Sequence, residues 1–430
     1  MSAVVVFIIF AICLVIAIPI SISLGIVAVL PGAFDASFTA SAGYVIRSMV
    51  GGIDSFPLLA VPMFVLAGIL MAHGKISEKL FDVFVYFLGN KRAGIPCAVI
   101  ITCLFYGAIS GSAPATVAAV GSMTIPLLIE LGYEKDFSTA IVAVAGGLGV
   151  IIPPSIPFIM YAMATGESVS DLFLAGIVPG MMISALLIFY AYYYCRRHGE
   201  DREKIQAKMG QLKAKGFFNI LKESIWALLS PVIVLGCIYT GVASPTEAAV
   251  ISVFYSLFVS LFIYRSIKVK QIWGIMVEAM KTYAPILFIL ATSTAFSRVL
   301  TLMQVPQDVS AWIMTHFSNE IVLLLVINVV LLIVGMVMDT TPAILILSPI
   351  LLPIVEHVGM NPIHFGVMVI VNLAVGFVTP PVAVNLFVAS SLTNVPMMQI
   401  AKKAMPMIGY FMLALLLITF IPAISLCLLS

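Results

Sequence analysis

The sequence predicts an all-α integral membrane protein made of two related halves, each carrying a re-entrant helical hairpin and a broken transmembrane helix. Three observations lead there. Of 430 residues, 62% are hydrophobic and only 9% charged, against roughly 25% charged in soluble domains. Four helix-breaking residues recur at one offset: Pro126 and Pro353, Gly132 and Gly359, Gly149 and Gly376, and Pro153 and Pro380 are each 227 positions apart. The words Ser110-Gly111-Ser112-Ala113-Pro114-Ala115-Thr116 and Met338-Asp339-Thr340-Thr341-Pro342-Ala343 are polar, yet they interrupt apolar stretches instead of separating them. A duplicated break at membrane depth marks a binding site formed where two repeats meet.

A crossing needs about 20 apolar residues, and full spans fall near 3–31, 57–73, 137–165, 171–195, 223–243, 246–264, 283–303, 363–391 and 404–428. Met1-Ser2-Ala3 lacks the basic start of a secretory signal, so the first run is read as a span. Stretches 95–131 and 320–357 are each broken centrally by a polar tip and read as hairpins that enter and leave on one side. Segments near 36–55, 76–92, 270–281 and 307–318 mix charges with aromatics at helical spacing and read as helices lying along the interfaces. The organisation is then 1–94, a scaffold with interfacial arms; 95–195, the first hairpin, broken helix and following span; 196–222, a cytoplasmic loop; 223–319, further scaffold and arms; and 320–430, the second hairpin region. Six cysteines, Cys13, Cys97, Cys103, Cys195, Cys237 and Cys427, stand singly without metal or redox spacing.

Nine crossings put the termini on opposite faces. A cytoplasmic N-terminus and external C-terminus place 19 of the 21 Lys and Arg residues inside, as the positive-inside rule requires. Arg47 lies outside and Arg298 within a span. The hairpins then open from opposite sides, the first after Lys91-Arg92 and the second after 301–319, which contains neither Lys nor Arg. The span at 223–243 is the extra crossing that inverts the second half.

Irregular backbone at this depth is tolerated only where protein or a wet cavity covers it. The runs Gly149 to Pro157 and Gly376 to Pro381 cannot be continuous helix, because consecutive prolines remove donors and clash with the preceding turn. A proline kink is the plain alternative. Recurrence at the repeat offset, each time paired with a polar tip, argues instead for half-helices. Unwound segments offer carbonyl oxygens and positive helix ends, which together can hold a cation beside a carboxylate. For sodium the candidate ligands are Ser110, Gly111, Ser112, Gly149, Ile152 and Pro153, with Thr116 beside them, and Asp339, Thr340, Thr341, Gly376 and Thr379 in the second half. Helix capping is the plain role of the tip hydroxyls, and one residue can fill both.

For a substrate carboxylate the candidates are Arg298, Ser297, Ser112, Pro114, Thr341 and Asn385. Arg298 leads, because its charge is costly in a span unless paired or wet and its planar fork matches a carboxylate. Thr292, Ser293, Thr294 and Ser297 make the same segment polar. The alternatives are snorkelling to the outer surface or a fixed pair with Asp339. Glu247, in Ser244-Pro245-Thr246-Glu247, reads as a helix cap, and Glu130 and Glu356 as interfacial ends of hairpin arms.

Several longer motifs carry a resemblance: Ser55-Phe56-Pro57-Leu58-Leu59-Ala60-Val61-Pro62-Met63-Phe64, Gly107-Ala108-Ile109-Ser110-Gly111-Ser112, Ile151-Ile152-Pro153-Pro154-Ser155, Ser244-Pro245-Thr246-Glu247-Ala248-Ala249 and Val378-Thr379-Pro380-Pro381. Through them essentially the whole chain resembles the large membrane subunit of tripartite ATP-independent periplasmic (TRAP) transporters. The resemblance implies an inverted-repeat elevator in the bacterial inner membrane, driven by two or more sodium ions and using no nucleotide. It implies two protein partners, a periplasmic substrate-binding protein and a small four-helix membrane subunit, here a separate polypeptide. Implied substrates are carboxylates, C4-dicarboxylates or sialic acids, with a lean towards sialic acid, and the family's substrate-facing arginine falls on Arg298.

Other classes fit less well. An enzyme would need a metal pair or activated nucleophile, yet His73, His198, His316, His357 and His364 form no metal-spaced set, and Gly-x-Ser-x-Gly and His-Glu-x-x-His are absent. An ATP-driven pump lacks its phosphate-binding loop, and nothing points to nucleic acid. A stand-alone sodium/carboxylate symporter of related architecture is the second reading, and a passive anion channel, which can also use hairpins and broken helices, the third.

Overall fold

The computed structural model describes residues 3–35, 38–214, 216–316 and 319–429. Among them the regular elements are all helices. Nine of these helices are long and apolar enough to cross a bilayer. They are not the nine predicted spans: Ala113–Glu130, Glu320–Val337 and Thr340–His357 are hairpin arms, whereas the broken helices are built from shorter pieces. The repeat extends to the element ends, since Ala113–Glu130 and Thr340–His357 match at both limits at the offset of 227.

Each hairpin is two helices and a tip. Gly94–Ser110 ends on Gly111 at φ 61, a left-handed turn that glycine adopts without strain. Ala113–Glu130 then runs back with Pro114 in its first turn, where a missing N–H costs nothing. The second hairpin pairs Glu320–Val337 with Thr340–His357, capped by Asp339, whose Oδ1 accepts from Thr340 N at 2.8 Å. Both broken helices are as expected from their prolines. Lys135–Ala145 passes through one 3-10 segment, Gly146–Val150, and resumes as Ile156–Thr165. Pro362–Gly376 resumes as Val384–Thr393.

The two halves interlock. Each hairpin packs on the break of its own half by close backbone approach: a Cβ on Gly107 would sit 2.6 Å from Gly149 Cα, and one on Gly376 would collide with the Gly335 backbone. Each return arm packs across the repeat boundary, as where Gly121 meets Leu392. The broken helices touch directly, Asn385 Nδ2 donating to Ala143 O at 3.0 Å and Tyr161 Oη to Pro362 O at 2.7 Å.

Around this core, Ala60–His73 packs on Pro245–Phe258, and Ile20–Phe34 and Ala42–Ile53 pack on Val269–Leu302. The Ser244 motif forms a capping box: Glu247 N donates to Ser244 Oγ at 3.3 Å and Ser244 N to Glu247 Oε2 at 2.7 Å. That is the capping role expected of Glu247.

Three expectations need correction. Residues 3–31 are not one span but two helices, Ala3–Val15 and Ile20–Phe34, reversing at Ala17 with φ 62 just before Ile18-Pro19. Val6 is buried in one cluster with Leu24, Val27 and Ala28, residues about as far beyond the turn as Val6 is before it, so the pair is antiparallel. A proline disfavours helix at the residue before it, and uniform hydrophobicity hid the break. The single crossing counted over 3–31 fails with it. Second, 270–281 and 283–303 are one helix of 34 residues, Val269–Leu302, with Pro285 inside it. At 1.5 Å per residue it is about 50 Å long, well beyond a hydrocarbon core of about 30 Å. Its counterpart in the first half is split at Asp54-Ser55 into Ala42–Ile53 and Ala60–His73. Third, 196–222 is not simply a loop: it holds the helix Arg202–Ala214 and the start of Phe217–Tyr239. Of the other interfacial arms, Ala42–Ile53, Ile76–Leu88 and Val305–His316 are helical. The predicted positions 36, 37, 317 and 318 lie outside the described residues.

Candidate functional site

The first tip forms a knot of hard oxygens. Ser110 Oγ and Thr116 Oγ1 lie 3.0 Å apart, and both reach Ser112 O, at 3.3 and 2.8 Å. Gly149 presses on this knot: a Cβ there would come within 2.5 Å of Thr116 Oγ1 and 2.8 Å of Ser112 O. Gly111 lies against the far side of the same break, its carbonyl accepting from Ile156 N at 3.3 Å. Ser110, Gly111, Ser112, Thr116 and Gly149 are thus brought together, with Ile152 and Pro153 buried in the turn that follows.

The second tip is built differently. Asp339 is exposed and caps the return arm, while Thr340 and Thr341 are buried at 4% exposure each. Thr379 Oγ1, in the break, donates back to Val375 O near the end of Pro362–Gly376 at 2.8 Å. The tip meets its break through Gly335 on Gly376 and through Val382 N donating to Met336 O at 3.1 Å.

Two cavities flank the core. One, of about 510 Å³, is lined by Arg298, Ser297, Thr294, Ser55, Glu167 and Pro349 among others. The second, of about 560 Å³, is lined by Ser110, Ser112, Pro114, Tyr106, Glu278 and Thr282 among others. The six predicted substrate residues therefore do not form one pocket. Arg298 and Ser297 face the first cavity, Ser112 and Pro114 the second, and Thr341 and Asn385 line neither. Asn385 is fully buried as the link between the broken helices, its Oδ1 without a hydrogen-bond partner among the described residues.

One helix connects the cavities. On Val269–Leu302, Glu278, Thr282 and Ile286 line one, and Leu290, Thr294 and Arg298 the other. These six residues are spaced four apart, so each shares a face with the next, while at 3.6 residues per turn the line drifts about 40° per step and winds about half-way round the helix from Glu278 to Arg298. The spacing was present in the sequence, but dividing the segment at 282 hid it. Arg298 is exposed to its cavity, with Gly51 leaving room beside its guanidinium. Neither it nor Asp339 has an ion-pair partner among the described residues, so the fixed Arg298–Asp339 pair is absent. Glu167 and Glu278 were not singled out from the sequence; Glu167 sits in the Gly166 turn, with no spacing to mark it.

The comparisons with known proteins point one way. Residues 7–424 match the family model described as the tripartite ATP-independent periplasmic transporter, DctM component. An isethionate TRAP transporter permease protein of Oleidesulfovibrio alaskensis is 43% identical over 96% of this chain, which spans 64% of that longer relative. The C4-dicarboxylate large permease of Pseudomonas aeruginosa is 39% identical, covering 87% of this chain and 86% of its own length. The 2,3-diketo-L-gulonate large permease of Escherichia coli is 35% identical over 87% of both. Among solved structures, the Alcanivorax borkumensis YdaH transporter superposes with a TM-score of 0.64 at 13% identity, covering 93% of this chain and 96% of that one. At that identity the likeness is one of fold. The chain belongs to the DctM family of TRAP transporter large permease subunits, transport proteins and not enzymes.

Proposed function

We propose that the chain carries a small organic anion across the bacterial inner membrane by sodium-coupled elevator movement, receiving it from a periplasmic binding protein and completed by a small four-helix membrane subunit. The observation that carries this reading is the line of residues from Glu278 to Arg298 on one helix, which borders a cavity at each end of the interlocked core. Val269–Leu302 then acts as the fixed wall, and the hairpins with their broken helices as the moving body. Arg298 meets the anion from the periplasm through its bidentate fork, with Ser297 and Thr294 alongside. Ser110, Ser112 and Thr116 supply neutral hard oxygens for one sodium ion. Asp339, Thr340 and Thr341, with the carbonyls at Gly376, supply a second set. Sodium here is co-substrate.

The anion belongs to the class carried by the named relatives, a carboxylate or sulfonate. The basic ends of the helices orient the chain with Lys75, Lys91, Arg92, Lys268, Lys270 and Lys281 in the cytoplasm. With the reversal at Ala17 on that side too, Ala3 and the C-terminal end of Met397–Phe420 both face the periplasm.

The test is uptake into proteoliposomes of the full membrane complex under an imposed sodium gradient, with radiolabelled succinate, isethionate, 2,3-diketogulonate and a sialic acid, with and without binding protein. Concentrative uptake of one acid, dependent on both sodium and binding protein, is expected. Uptake indifferent to sodium would indicate a channel, and uptake indifferent to the binding protein a stand-alone symporter.

A further inference from the structure

At the cytoplasmic end of the helix that holds Arg298 stands its opposite charge. Glu278 lines the cavity beneath Ser110, Ser112 and Pro114. Its Oε2 lies 3.0 Å from His73 Nε2, with both side chains about half exposed, at 54% and 48%. His73 and Glu278 together border a groove with Gln271 and Ser266, and His73 borders another with Lys75, Glu78 and Ser122. Ala72 and Ala119 are shared between that second groove and the cavity. A solute leaving the first tip by this mouth passes the His73–Glu278 pair. Along the helix the cavity-lining order is Glu278, Thr282, Ile286, Leu290, Thr294, Arg298: an acid at the inner end, an apolar pair at the centre and a base about 30 Å away at the outer end.

We infer that Glu278 is a release residue: its fixed negative charge lowers the affinity of the inner cavity for the transported anion, and His73 sets how much of that charge the anion meets. The transport meaning rests on the reading that the carried solute is an anion moving along this helix. The field itself does not depend on that reading. An anion near Glu278 in a wet cavity feels a repulsion that weakens as the dielectric rises, and His73 partly offsets it at hydrogen-bond range. Removing Glu278 and removing His73 therefore have opposite signs. A purely structural pair, broken from either side, would give the same sign.

The experiment places a cysteine reporter at Ala118, an exposed lining residue of the inner cavity, in the full membrane complex with the six native cysteines replaced by alanine. Inside-out vesicles are treated with an anionic sulfonatoethyl and a cationic trimethylammonioethyl methanethiosulfonate, and the ratio of the two modification rates is read. Glu278→Gln is expected to raise the anionic-to-cationic ratio roughly three- to tenfold, the scale of one partly screened charge. His73→Ala is expected to lower it, by a smaller factor. An unchanged ratio, or both variants moving it the same way, overturns the inference. The inner half-saturation constant for the best-carried acid, measured as efflux from loaded proteoliposomes, should fall by a similar factor in Glu278→Gln with the outer constant unchanged. A changed ratio with an unchanged inner constant would leave a field without a release role and also overturn it. Loss of anion uptake as a whole would instead count against the function proposed above, since the rate ratio needs no transported substrate.

Discussion

Gly107 meets Gly149 where the first hairpin touches its broken helix, and Gly335 meets Gly376 where the second does, so both tips are placed by the same close backbone approach. At their feet the hairpins differ. Glu200, whose side chain is only 2% exposed, accepts from Ala93 N at 3.0 Å where the first hairpin begins and from Tyr133 Oη at 2.6 Å where it has ended. Arg202 completes the clamp, donating to Glu200 Oε2 at 3.0 Å and to Asn90 O at 3.2 Å. Burial, and then the bond to Glu200, push the Tyr133 phenol far up, so it stays a donor at any physiological pH. At the repeat offset the second half has Cys427, Glu320 and Met360 in place of Glu200, Ala93 and Tyr133, and cannot build this clamp. The outer arm Glu320–Val337 also leaves Ile321, Val322, Val329 and Ile333 exposed. The contrast teaches that the duplication preserved the glycine of each break, Gly149 and Gly376, while the hairpin glycine that meets it moved by one, Gly335 standing one residue past the offset from Gly107, and side-chain chemistry around them diverged.

The comparison can be broken first at its common part. Gly149→Ala and Gly376→Ala each put a methyl into backbone or the Thr116 hydroxyl, so each should cut sodium-driven uptake at least tenfold while the complex still inserts, as small-to-large changes cost about 1–3 kcal/mol in a packed core. Tolerance at either position would show that its hairpin does not need the close approach. Next, the feet. Glu200→Ala leaves Tyr133 Oη and Ala93 N without their acceptor, a loss of about 1–3 kcal/mol each, and should lower the melting temperature of the purified complex by several degrees. Cys427→Ala, at the matching position, should leave it unchanged; equal effects would erase the asymmetry.

The tips separate more finely. Thr116→Val removes a hydroxyl from the oxygen knot and should raise the sodium concentration for half-maximal uptake several-fold, whereas Thr379→Val removes one bonded only back to Val375 O and should shift it less. Reversed order would move the main ion site to the second tip. The smallest effect is one of pH. The bond from Lys403 holds the Glu134 carboxyl below its ordinary value of 4.5, with Tyr194 donating to the same oxygen at 2.7 Å. The stability this contributes is present above pH 4.5 and is lost as pH falls through the lowered value. Lys403→Met should therefore narrow the difference in melting temperature between pH 6 and pH 4, and an unchanged difference would mean the pair is screened out.

Much of this was legible because prolines, glycines and polar tips are rare and costly inside apolar runs. Both hairpins and both breaks follow from Ser110 to Thr116, Pro153-Pro154, Asp339 to Pro342 and Pro380-Pro381. The reversal at Ala17 was not, since Ala-Ile-Pro within uniform hydrophobicity resembles a tolerated kink. The continuity of Val269–Leu302 was hidden because the segment 270–281, with its charges and aromatics, read as an interfacial arm separate from the span that begins at 283. Gathering Arg298 with Ser112 in one pocket failed for a different reason. Arg298 borders one cavity from the long helix Val269–Leu302 and Ser112 borders the other from the first hairpin tip, and no local pattern states on which side of a barrier a polar residue lies. The clamp at Glu200 joins residues 107 and 67 positions apart, beyond any periodicity.

The most direct test of the account is sodium-driven, binding-protein-dependent uptake by the Arg298→Ala complex, with membrane insertion and melting checked in parallel. Loss of uptake in a stable, inserted complex, with partial recovery in Arg298→Lys, is the predicted result. Near-normal uptake in Arg298→Ala would contradict it and leave the cavity beneath Gly51 and Ser55 without a role in holding the anion.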